Sequence, residues 1–196
     1  MVAIYFLAAY LLGSISSAIL VCKAMGQPDP RGSGSGNPGA TNVLRQSGKL
    51  AAFLTLVGDV AKGFIPVLIG TLYGLPAPAI AALGAGAFVG HLFPLFFQFR
   101  GGKGVATLIG VLFGTSPLLG LIFVLTWLGV ALITRYSSLS ALTAAALAPL
   151  AAWWLKLGLI IVATLAVLVV ILFWRHRQNI SNLLAGKESR IGQKKS

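Results

Sequence analysis

The run Leu157-Gly-Leu-Ile-Ile-Val-Ala-Thr-Leu-Ala-Val-Leu-Val-Val-Ile-Leu-Phe-Trp174 decides the class of fold, because it contains no charged side chain. A helix of this length nearly crosses a hydrocarbon layer that is about 30 Å thick. The whole chain shares this character, since 57% of its 196 residues are hydrophobic and only 9% are charged. A soluble domain of this size would need a more polar surface, so the sequence predicts a polytopic membrane protein made of α-helices.

Other apolar runs of similar character complete an all-α fold, for which we predict seven transmembrane helices with the N-terminus outside and the C-terminus cytoplasmic. The predicted spans are residues 2–22, 51–73, 76–97, 104–117, 118–134, 138–155 and 157–174. Lys23 follows the first span and no basic residue precedes it, which indicates a retained helix and not a cleaved signal peptide. We expect one integral-membrane domain over residues 1–196, with cytoplasmic loops at about 23–50 and 98–104 and a basic tail at about 175–196.

The basic residues predict the orientation. Of the 15 lysines and arginines, only Lys62 and Lys156 fall away from one side of this topology. By the positive-inside rule that side is cytoplasmic. The net charge of +12 therefore follows from topology and does not indicate nucleic-acid binding, because the charges form no stripe on a soluble face. Trp153, Trp154 and Trp174 lie near span ends and are predicted to be interfacial anchors.

The first cytoplasmic loop carries Ser33-Gly-Ser-Gly-Asn-Pro-Gly-Ala-Thr-Asn42, followed by Arg45. Glycines allow close approach of backbone N–H groups to a ligand, and an arginine binds phosphate through two parallel hydrogen bonds. The candidate binding residues are Gly34, Ser35, Gly36, Asn37, Thr41, Asn42 and Arg45. A flexible glycine–serine linker is the alternative, but the amides, hydroxyls and arginine favour a phosphate site.

A second glycine loop, Arg100-Gly-Gly-Lys-Gly104, follows a span that ends in Gly90-His-Leu-Phe-Pro94. A lysine between glycines at a helix start places an ammonium beside free N–H groups, which favours an anion. The candidate residues are His91, Gly101, Gly102, Lys103 and Gly104. The spacing differs from the Walker A pattern, so nucleotide hydrolysis is not expected. A glycine hinge with a topology lysine is the alternative, and His91 is equally compatible with capping a buried helix end.

The third polar segment, Trp174-Arg-His-Arg-Gln-Asn-Ile180, follows the last span. If the helix continues through it, His176 and Asn179 share one face and reach the same ligand. A cytoplasmic tail explains the arginines of this segment but not its histidine and asparagine.

Asp59 and Lys62 lie inside a predicted span, three residues apart, so they share a helix face and each offsets the cost of the other's charge. We interpret the pair as structural support beside the site. Gly86 and Gly90 have a Gly-x-x-x-Gly spacing that favours close helix packing. The lone Cys22 excludes an internal disulfide, and we predict neither a metal site nor a cofactor.

Taken together, the three motifs resemble those of the bacterial membrane glycerol-3-phosphate acyltransferases that use acyl phosphate, the PlsY family. The resemblance covers nearly the whole chain and is carried by Gly34–Arg45, Gly90–Ala106 and His176–Glu188. It implies a seven-helix protein of the bacterial inner membrane whose active site faces the cytoplasm. The implied reaction transfers a fatty acyl group from acyl phosphate to the 1-hydroxyl of sn-glycerol 3-phosphate and releases lysophosphatidic acid and phosphate, as the first acylation of phospholipid synthesis.

The resemblance also implies roles for individual residues. The implied catalytic residues are Ser35, Arg45, Lys103, His176 and Asn179, and Glu188 matches a carboxylate with a structural role. Ser181-Asn182 departs from the family, in which a more basic stretch is common. The expected partners are acyl phosphate, glycerol 3-phosphate and the lipid bilayer, with a transient contact to the enzyme that produces acyl phosphate and no nucleic acid.

The implied chemistry needs few protein groups, because acyl phosphate carries its own activated anhydride. The protein has to hold two phosphates, stabilise a tetrahedral oxyanion and place a hydroxyl near the carbonyl. With only 3 carboxylates in the chain, the proton acceptor stays open between His176 and a substrate phosphate. The alternatives from other classes are a transporter for a phosphorylated small molecule and a noncatalytic membrane partner of lipid-synthesis enzymes. Polar chemistry on one side, without an internal repeat, favours the enzyme.

Overall fold

The computed structural model describes residues 1–193; Lys194, Lys195 and Ser196, which the sequence assigns to the basic tail, lie outside the described residues. The helices are α1 (Val2–Gly13), α2 (Ser17–Ala24), α3 (Ala40–Leu72), α4 (Ala77–Leu92), α5 (Val105–Thr115), α6 (Pro117–Thr134), α7 (Ser137–Trp154), α8 (Leu159–Arg175) and α9 (Arg177–Leu184), with a 3-10 turn at Leu95–Phe97. No strand occurs within this part of the chain, so the all-α prediction is confirmed. The described chain forms two compact units, the first over Met1–Thr115 and the second beginning at Ser116.

Several helices have the length and composition of membrane spans. Among residues 1–193, four segments qualify alone, namely Val2–Ala24, Ala40–Leu72, Ala77–Phe97 and Pro117–Thr134. Helices α8 and α9 meet at a bend of 60° and make a fifth if the pair is one span, whereas α5 is apolar but shorter. Each predicted span is mainly helical, but the count of seven and the orientation stay predictions.

Large apolar side chains cover much of the outer surface, as expected for helices in lipid. Leu72, Leu132, Ile133 and Val170 are between 69% and 85% exposed. A water-soluble protein rarely exposes so many large apolar side chains together, since such patches promote association. The exposed residues therefore face lipid in our interpretation, while small residues form the contacts between helices.

In the first unit, glycines allow the helices to pack closely. A Cβ atom at Gly86 would overlap the backbone of Phe6, and one at Gly90 would overlap the backbone of Tyr10. Helix α4 therefore lies directly on α1, and the packing predicted from the Gly-x-x-x-Gly spacing is confirmed. The Tyr10 hydroxyl donates to the Phe93 carbonyl, 2.9 Å away, and ties α1 to the segment after α4.

Helix α3 begins earlier than the predicted span. It starts at Ala40 and is broken at Gly48, where φ is 86°. The loop predicted for residues 23–50 therefore ends at Gly39, and Thr41, Asn42 and Arg45 lie on the helix. The span was predicted from hydropathy, which detects only the apolar part of a helix, whereas residues 40–49 form a polar extension.

In the second unit, α7 is adjacent in space to both α6 and α8. Arg135 ends α6 with a left-handed conformation of φ 62° and makes the turn into α7. The tail returns to this turn, because the Ile191 N–H donates to the Arg135 carbonyl at 2.7 Å. The Arg190 guanidinium also lies over the Tyr136 ring, 5.5 Å from its centre. These contacts fix the tail on the end of α6 and the start of α7.

Candidate active site

The first glycine loop is organised by one buried side chain. Asn42 is 2% exposed, and its amide nitrogen donates to the carbonyls of Pro30 at 2.8 Å and Ser33 at 3.3 Å. Its amide oxygen accepts the backbone N–H of Ser35 at 3.0 Å. Gly34 has a φ of +65°, and a Cβ atom there would overlap the Asn42 amide. Both polar ends of Asn42 are therefore engaged by the loop itself, a role that the sequence did not indicate.

The other candidates of the first loop surround the start of α3. Ser35, Thr41 and Arg45 are exposed, and Gly39 is the residue that precedes the helix. Because Gly39 has no side chain, no side-chain cap covers the first N–H groups of this described helix. A helix N-terminus attracts negative charge, and Arg45 lies about one turn further on. This end of α3 is suited to an anion such as phosphate.

The second glycine loop is packed against His91. The Gly102 N–H donates to the His91 carbonyl at 3.1 Å. A Cβ atom at Gly102 would overlap the His91 ring, and one at Gly101 would overlap the His91 carbonyl oxygen. Gly104 has a φ of +89° and lies against the Phe88 ring. All three glycines are therefore sterically required, and the flexible hinge proposed as an alternative does not describe this loop.

Lys103 lies half-buried between these glycines, directly before α5. The Gly104 carbonyl accepts the Leu108 N–H at 2.8 Å, so the first turn of α5 starts at the loop. The structure thus brings His91, Gly101, Gly102, Lys103 and Gly104 together, as the sequence predicted. It gives His91 a backbone contact and a ring contact with this loop.

A buried charge cluster lies behind the second loop and consists of Asp59, Lys62 and His91. The predicted Asp59–Lys62 contact is confirmed, with 2.9 Å between Lys62 Nζ and Asp59 Oδ1. Lys62 Nζ also donates to the Ile15 carbonyl at 2.9 Å. The third member was missed, because His91 lies on another helix with its Nδ1 3.5 Å from Asp59 Oδ1. No sequence spacing could have indicated that contact.

A polar contact ties the first loop to the segment before the second loop. Arg31 binds the Asp29 carboxylate through three side-chain hydrogen bonds of 2.7 to 3.1 Å. Its Nη1 donates to the Phe97 carbonyl at 3.2 Å. The hydrogen bonds from Arg31 lower the pKa of Asp29 below its usual value. Arg31 was predicted only as a basic residue of the cytoplasmic side, and its contact with Phe97 was not predicted.

The third motif lies at the bend between α8 and α9. Helix α8 ends at Arg175 and bends into α9, so the condition under which His176 and Asn179 would share one face of a continuous helix is not met. His176 is 3% exposed, and its Nδ1 lies 2.8 Å from the Leu172 carbonyl. A carbonyl oxygen can only accept, so Nδ1 carries a proton and Nε2 holds the lone pair when the ring is neutral. The bend lies at His176, which ends α8 and directly precedes α9. The His176 carbonyl accepts the Ile180 N–H and so belongs to the hydrogen bonds of α9.

Glu188 connects the tail to the third motif. Its Oε1 accepts hydrogen bonds from Ser138 Oγ at 2.6 Å and from Asn179 Nδ2 at 2.7 Å. Asn182 Nδ2 lies 3.4 Å from Glu188 Oε2. Asn182 is part of the stretch that departs from the family, and here it contributes to the same carboxylate. The carboxylate thus holds Asn179, which agrees with the structural role that the resemblance implies.

The chemistry available is that of anion binding and proton transfer. In residues 1–193 no group of three His, Cys, Asp or Glu side chains is arranged to hold a metal ion. Arginine, lysine, glycine N–H groups and helix N-termini are donors to phosphate. In the described part, these features define a helical membrane protein equipped to bind phosphorylated molecules.

Comparison with known proteins identifies the family. The model of the family described as glycerol-3-phosphate acyltransferase matches residues 3–186. The glycerol-3-phosphate acyltransferase of Methylococcus capsulatus is 56% identical over 188 residues, which are 95% of this chain and 94% of that protein. The corresponding protein of Methylobacillus flagellatus is 56% identical over 194 residues and 98% of each chain. The chain therefore belongs to the glycerol-3-phosphate acyltransferase family and is an acyltransferase.

Two solved structures are similar to this chain over nearly its whole length. One is a crystal structure of PlsY (YgiH), an integral membrane glycerol 3-phosphate acyltransferase, in its glycerol 3-phosphate form; its TM-score is 0.92 at 40% identity, with 97% of this chain and 96% of that chain covered. The other is the lysophosphatidic acid form, with a TM-score of 0.90 at 39% identity and coverage of 97% and 95%. The chain is thus similar to an integral membrane enzyme in both fold and sequence.

Proposed function

We propose that this acyltransferase uses acyl phosphate as donor and transfers its acyl group to the 1-hydroxyl of sn-glycerol 3-phosphate. The products are lysophosphatidic acid and inorganic phosphate, and a transient contact with the enzyme that makes acyl phosphate belongs to the same proposal. The observation that carries it is the second glycine loop, in which three sterically required glycines hold Lys103 at the start of α5. The similarity to PlsY in its glycerol 3-phosphate and lysophosphatidic acid forms supports the choice of acceptor and product.

The two loops are proposed to bind the two phosphate groups of the substrates. At the first loop, Arg45 and the open start of α3 provide donors, and the Ser35 hydroxyl is exposed beside them. At the second loop, Lys103 and the glycine N–H groups provide positive charge at the start of α5. Such donors, fixed before the substrates bind, also stabilise the oxyanion that forms when the hydroxyl attacks the carbonyl.

The reaction balances without a covalent enzyme intermediate. The 1-hydroxyl oxygen forms a bond to the acyl carbonyl carbon, and the bond from that carbon to the phosphate oxygen breaks. The hydroxyl proton goes either to His176 Nε2 or to a substrate phosphate. Because His176 Nδ1 donates to the Leu172 carbonyl, the neutral ring has its lone pair on Nε2, as a base requires.

A single assay tests the donor. Purified protein in detergent is supplied with glycerol 3-phosphate and either acyl phosphate, acyl-CoA or acyl carrier protein, and lysophosphatidic acid is measured. Only acyl phosphate is expected to support turnover, because the resemblance to the PlsY family implies this donor and because no extended soluble segment that would receive a bulky carrier occurs in the described chain. Equal rates with acyl-CoA would overturn the proposed donor.

Variants of His176 distinguish the two proton acceptors. His176→Gln keeps a neutral hydrogen-bond donor but removes the basic nitrogen, whereas His176→Ala removes both. If the glutamine variant keeps near-normal turnover while the alanine variant is inactive, the proton goes to a substrate phosphate. If both variants are inactive at equal levels of folded protein, His176 is the base.

The active site is proposed to face the cytoplasm of a bacterial inner membrane, because 13 of the 15 basic residues fall on one side of the predicted topology. Single cysteines at Ser33 and at Lys187, in a Cys22→Ser background, are expected to react with an impermeant reagent only after the cytoplasmic face is opened. Both positions are exposed. Labelling of either position from outside intact cells would show that the proposed orientation is wrong.

A further inference from the structure

The buried charge cluster of Asp59, Lys62 and His91 contains more contacts than charge balance requires. Asp59 and Lys62 already form an ion pair of 2.9 Å, and Lys62 is further held by the Ile15 carbonyl. Their side chains are 2% and 6% exposed. A buried pair with a hydrogen bond of this kind is complete as a structural unit, since each charge has a partner.

The contact of Asp59 with His91 therefore calls for a different explanation. The His91 side chain is 6% exposed, and its Nδ1 lies 3.5 Å from the same carboxylate oxygen that binds Lys62. A carboxylate beside Nδ1 selects the orientation and the tautomer of an imidazole ring, as it does in many active sites. Asp59 thereby determines how the ring of His91 is turned.

The other side of that ring faces the second glycine loop. A Cβ atom built on Gly102 would overlap His91 Nε2, so the ring and the loop backbone are in direct contact. The His91 carbonyl also accepts the Gly102 N–H at 3.1 Å. The loop residue next to Lys103 is thus fixed by both the backbone and the ring of His91.

We propose that Asp59 is a positioning residue for the second glycine loop, acting through the His91 ring to set the place of Lys103. Lys62, held on the Ile15 carbonyl, pairs with Asp59 and keeps its carboxylate in place. This inference rests on the proposed function of Lys103 as a ligand of substrate phosphate. The inference gives Asp59, a carboxylate inside a membrane helix, an effect on substrate binding. Asp59 is far from Lys103 along the sequence, so the sequence alone does not indicate this effect.

The proposed effect is on binding geometry. If the carboxylate is removed, the His91 ring can turn about its side-chain bond, and Gly102 loses the surface against which it packs. A displacement of about 1 Å at a binding group lowers rates by up to about a hundredfold. Lys103 itself stays in place on a flexible four-carbon side chain and can still reach the oxyanion of the transition state. Removal of the Asp59 carboxylate is therefore expected to act mainly on the KM of one phosphate substrate.

The experiment compares KM and kcat for acyl phosphate and glycerol 3-phosphate in purified variants. The wild type is measured first: if it forms no lysophosphatidic acid, the proposed function fails whatever the variants do. Gly102→Ala then identifies the substrate that the second loop binds, as the one whose KM rises. The double variant Asp59→Asn/Lys62→Gln removes both charges and leaves neither buried without a partner. It is expected to raise the KM of that same substrate by about tenfold, with kcat changed by less than about threefold.

A mutant cycle tests whether Asp59 acts through His91. His91→Gln is expected to raise the same KM by about tenfold. When it is combined with the charge-free variant Asp59→Asn/Lys62→Gln, the KM should still rise by about tenfold and not by about a hundredfold, because the two changes disrupt one contact. Thr55→Val is the matched control, since Thr55 is fully buried one turn before Asp59 on α3 and its hydroxyl has no hydrogen-bond partner in the described chain. That variant should retain wild-type KM and kcat.

Two results would overturn the inference. One is a charge-free variant with a lower melting temperature but unchanged KM for both substrates, which would leave the cluster a purely structural role. The other is a multiplicative effect of His91→Gln and the charge-free variant, which would mean that Asp59 and His91 act independently.

Discussion

The two glycine loops have similar compositions but are held in opposite ways. In the first loop Gly32, Gly34 and Gly36 are exposed, and the loop shape depends on hydrogen bonds to the single side chain of Asn42. In the second loop the glycines Gly101, Gly102 and Gly104 are buried, and packing against His91 and Phe88 fixes them. A loop held by a few polar contacts can open at small cost, whereas a packed loop cannot move without its neighbours.

The difference suggests a division of labour between the loops. An exposed loop that carries Ser35 and lies beside Arg45 can adjust to a substrate as it enters. A packed loop keeps Lys103 in one place, and a fixed charge contributes more to a transition state than one that must first be ordered.

The largest expected effect follows from removing the Lys103 side chain. Lys103→Ala should lower kcat/KM by about a hundredfold or more, because a charged group that stabilises a transition state contributes roughly 3 kcal/mol. Arg45→Ala should cause a decrease of the same order for the same reason. Both variants should remain monodisperse with melting temperatures near that of the wild type. Normal kinetics of Lys103→Ala would mean that Lys103 only sets the membrane topology and does not bind substrate.

The glycines provide the second test, because the two loops differ in the space around them. Gly102→Ala would drive a methyl group into the His91 ring, and such overpacking costs typically 1–3 kcal/mol. We expect a lower melting temperature and a raised KM for one phosphate substrate. Gly32→Ala is the matched control in the first loop, since its Cβ would meet only the Asp29 carbonyl at 3.5 Å. It should change stability by less than about 0.5 kcal/mol. Equal effects of the two changes would contradict the contrast.

Much of the fold could be predicted because composition and hydropathy act over long segments. The helices α6, α7 and α8 coincide closely with predicted spans, whereas the predicted span 2–22 is divided into α1 and α2. Gly86 and Gly90 pack as their spacing indicated. The start of α3 was missed because its first residues are polar and include the binding candidates. The bend at His176 was missed because no proline or glycine marks it. Hydropathy does not report backbone breaks within polar segments.

The candidate site residues were selected from the sequence, but most of the contacts among them could not be predicted from it. Gly102 was selected as a substrate-binding residue, and the structure also makes it a packing position against the His91 ring. Asn42 was selected as a ligand donor, yet its amide is engaged by the loop. The contact of Gly102 with His91 joins a loop to another helix, and the contacts of Asn42 reach back to loop residues several positions earlier. Neither a motif nor a periodicity in the sequence encodes such contacts. Asp59 and Lys62 were found because their contact lies within one helix turn.

Asn42 provides the third test, at the first loop. Asn42→Ala removes the hydrogen bonds to the Pro30 and Ser33 carbonyls and to the Ser35 N–H, and it leaves those groups without that partner. A destabilisation of about 1–3 kcal/mol is expected for a buried polar group of this kind. Because the loop is exposed, the effect should appear as faster proteolytic cleavage near Ser33 more than as global unfolding. Asn42→Asp keeps the acceptor for Ser35 but turns a buried carboxylate oxygen toward the Pro30 and Ser33 carbonyls, so its effect should be at least as large. Unchanged cleavage of Asn42→Ala would mean that other contacts hold the loop.

The smallest expected effect concerns the contact of Asp29 with Arg31, which ties the first loop to the Phe97 carbonyl. Hydrogen bonds from Arg31 lower the pKa of Asp29 in the folded protein. A lowered carboxyl pKa contributes stability that is fully present above the unfolded pKa, about 3.9, and is lost as the pH falls through the folded pKa. The Asp29 side chain is 42% exposed, so solvent screening limits the contribution; exposed pairs give about 0–1 kcal/mol. The melting temperature of Asp29→Asn should therefore lie slightly below that of the wild type at about pH 6, and the gap should close toward about pH 3. A gap that persists or widens in acid would show that Asp29 stabilises the loop through contacts that do not depend on its charge.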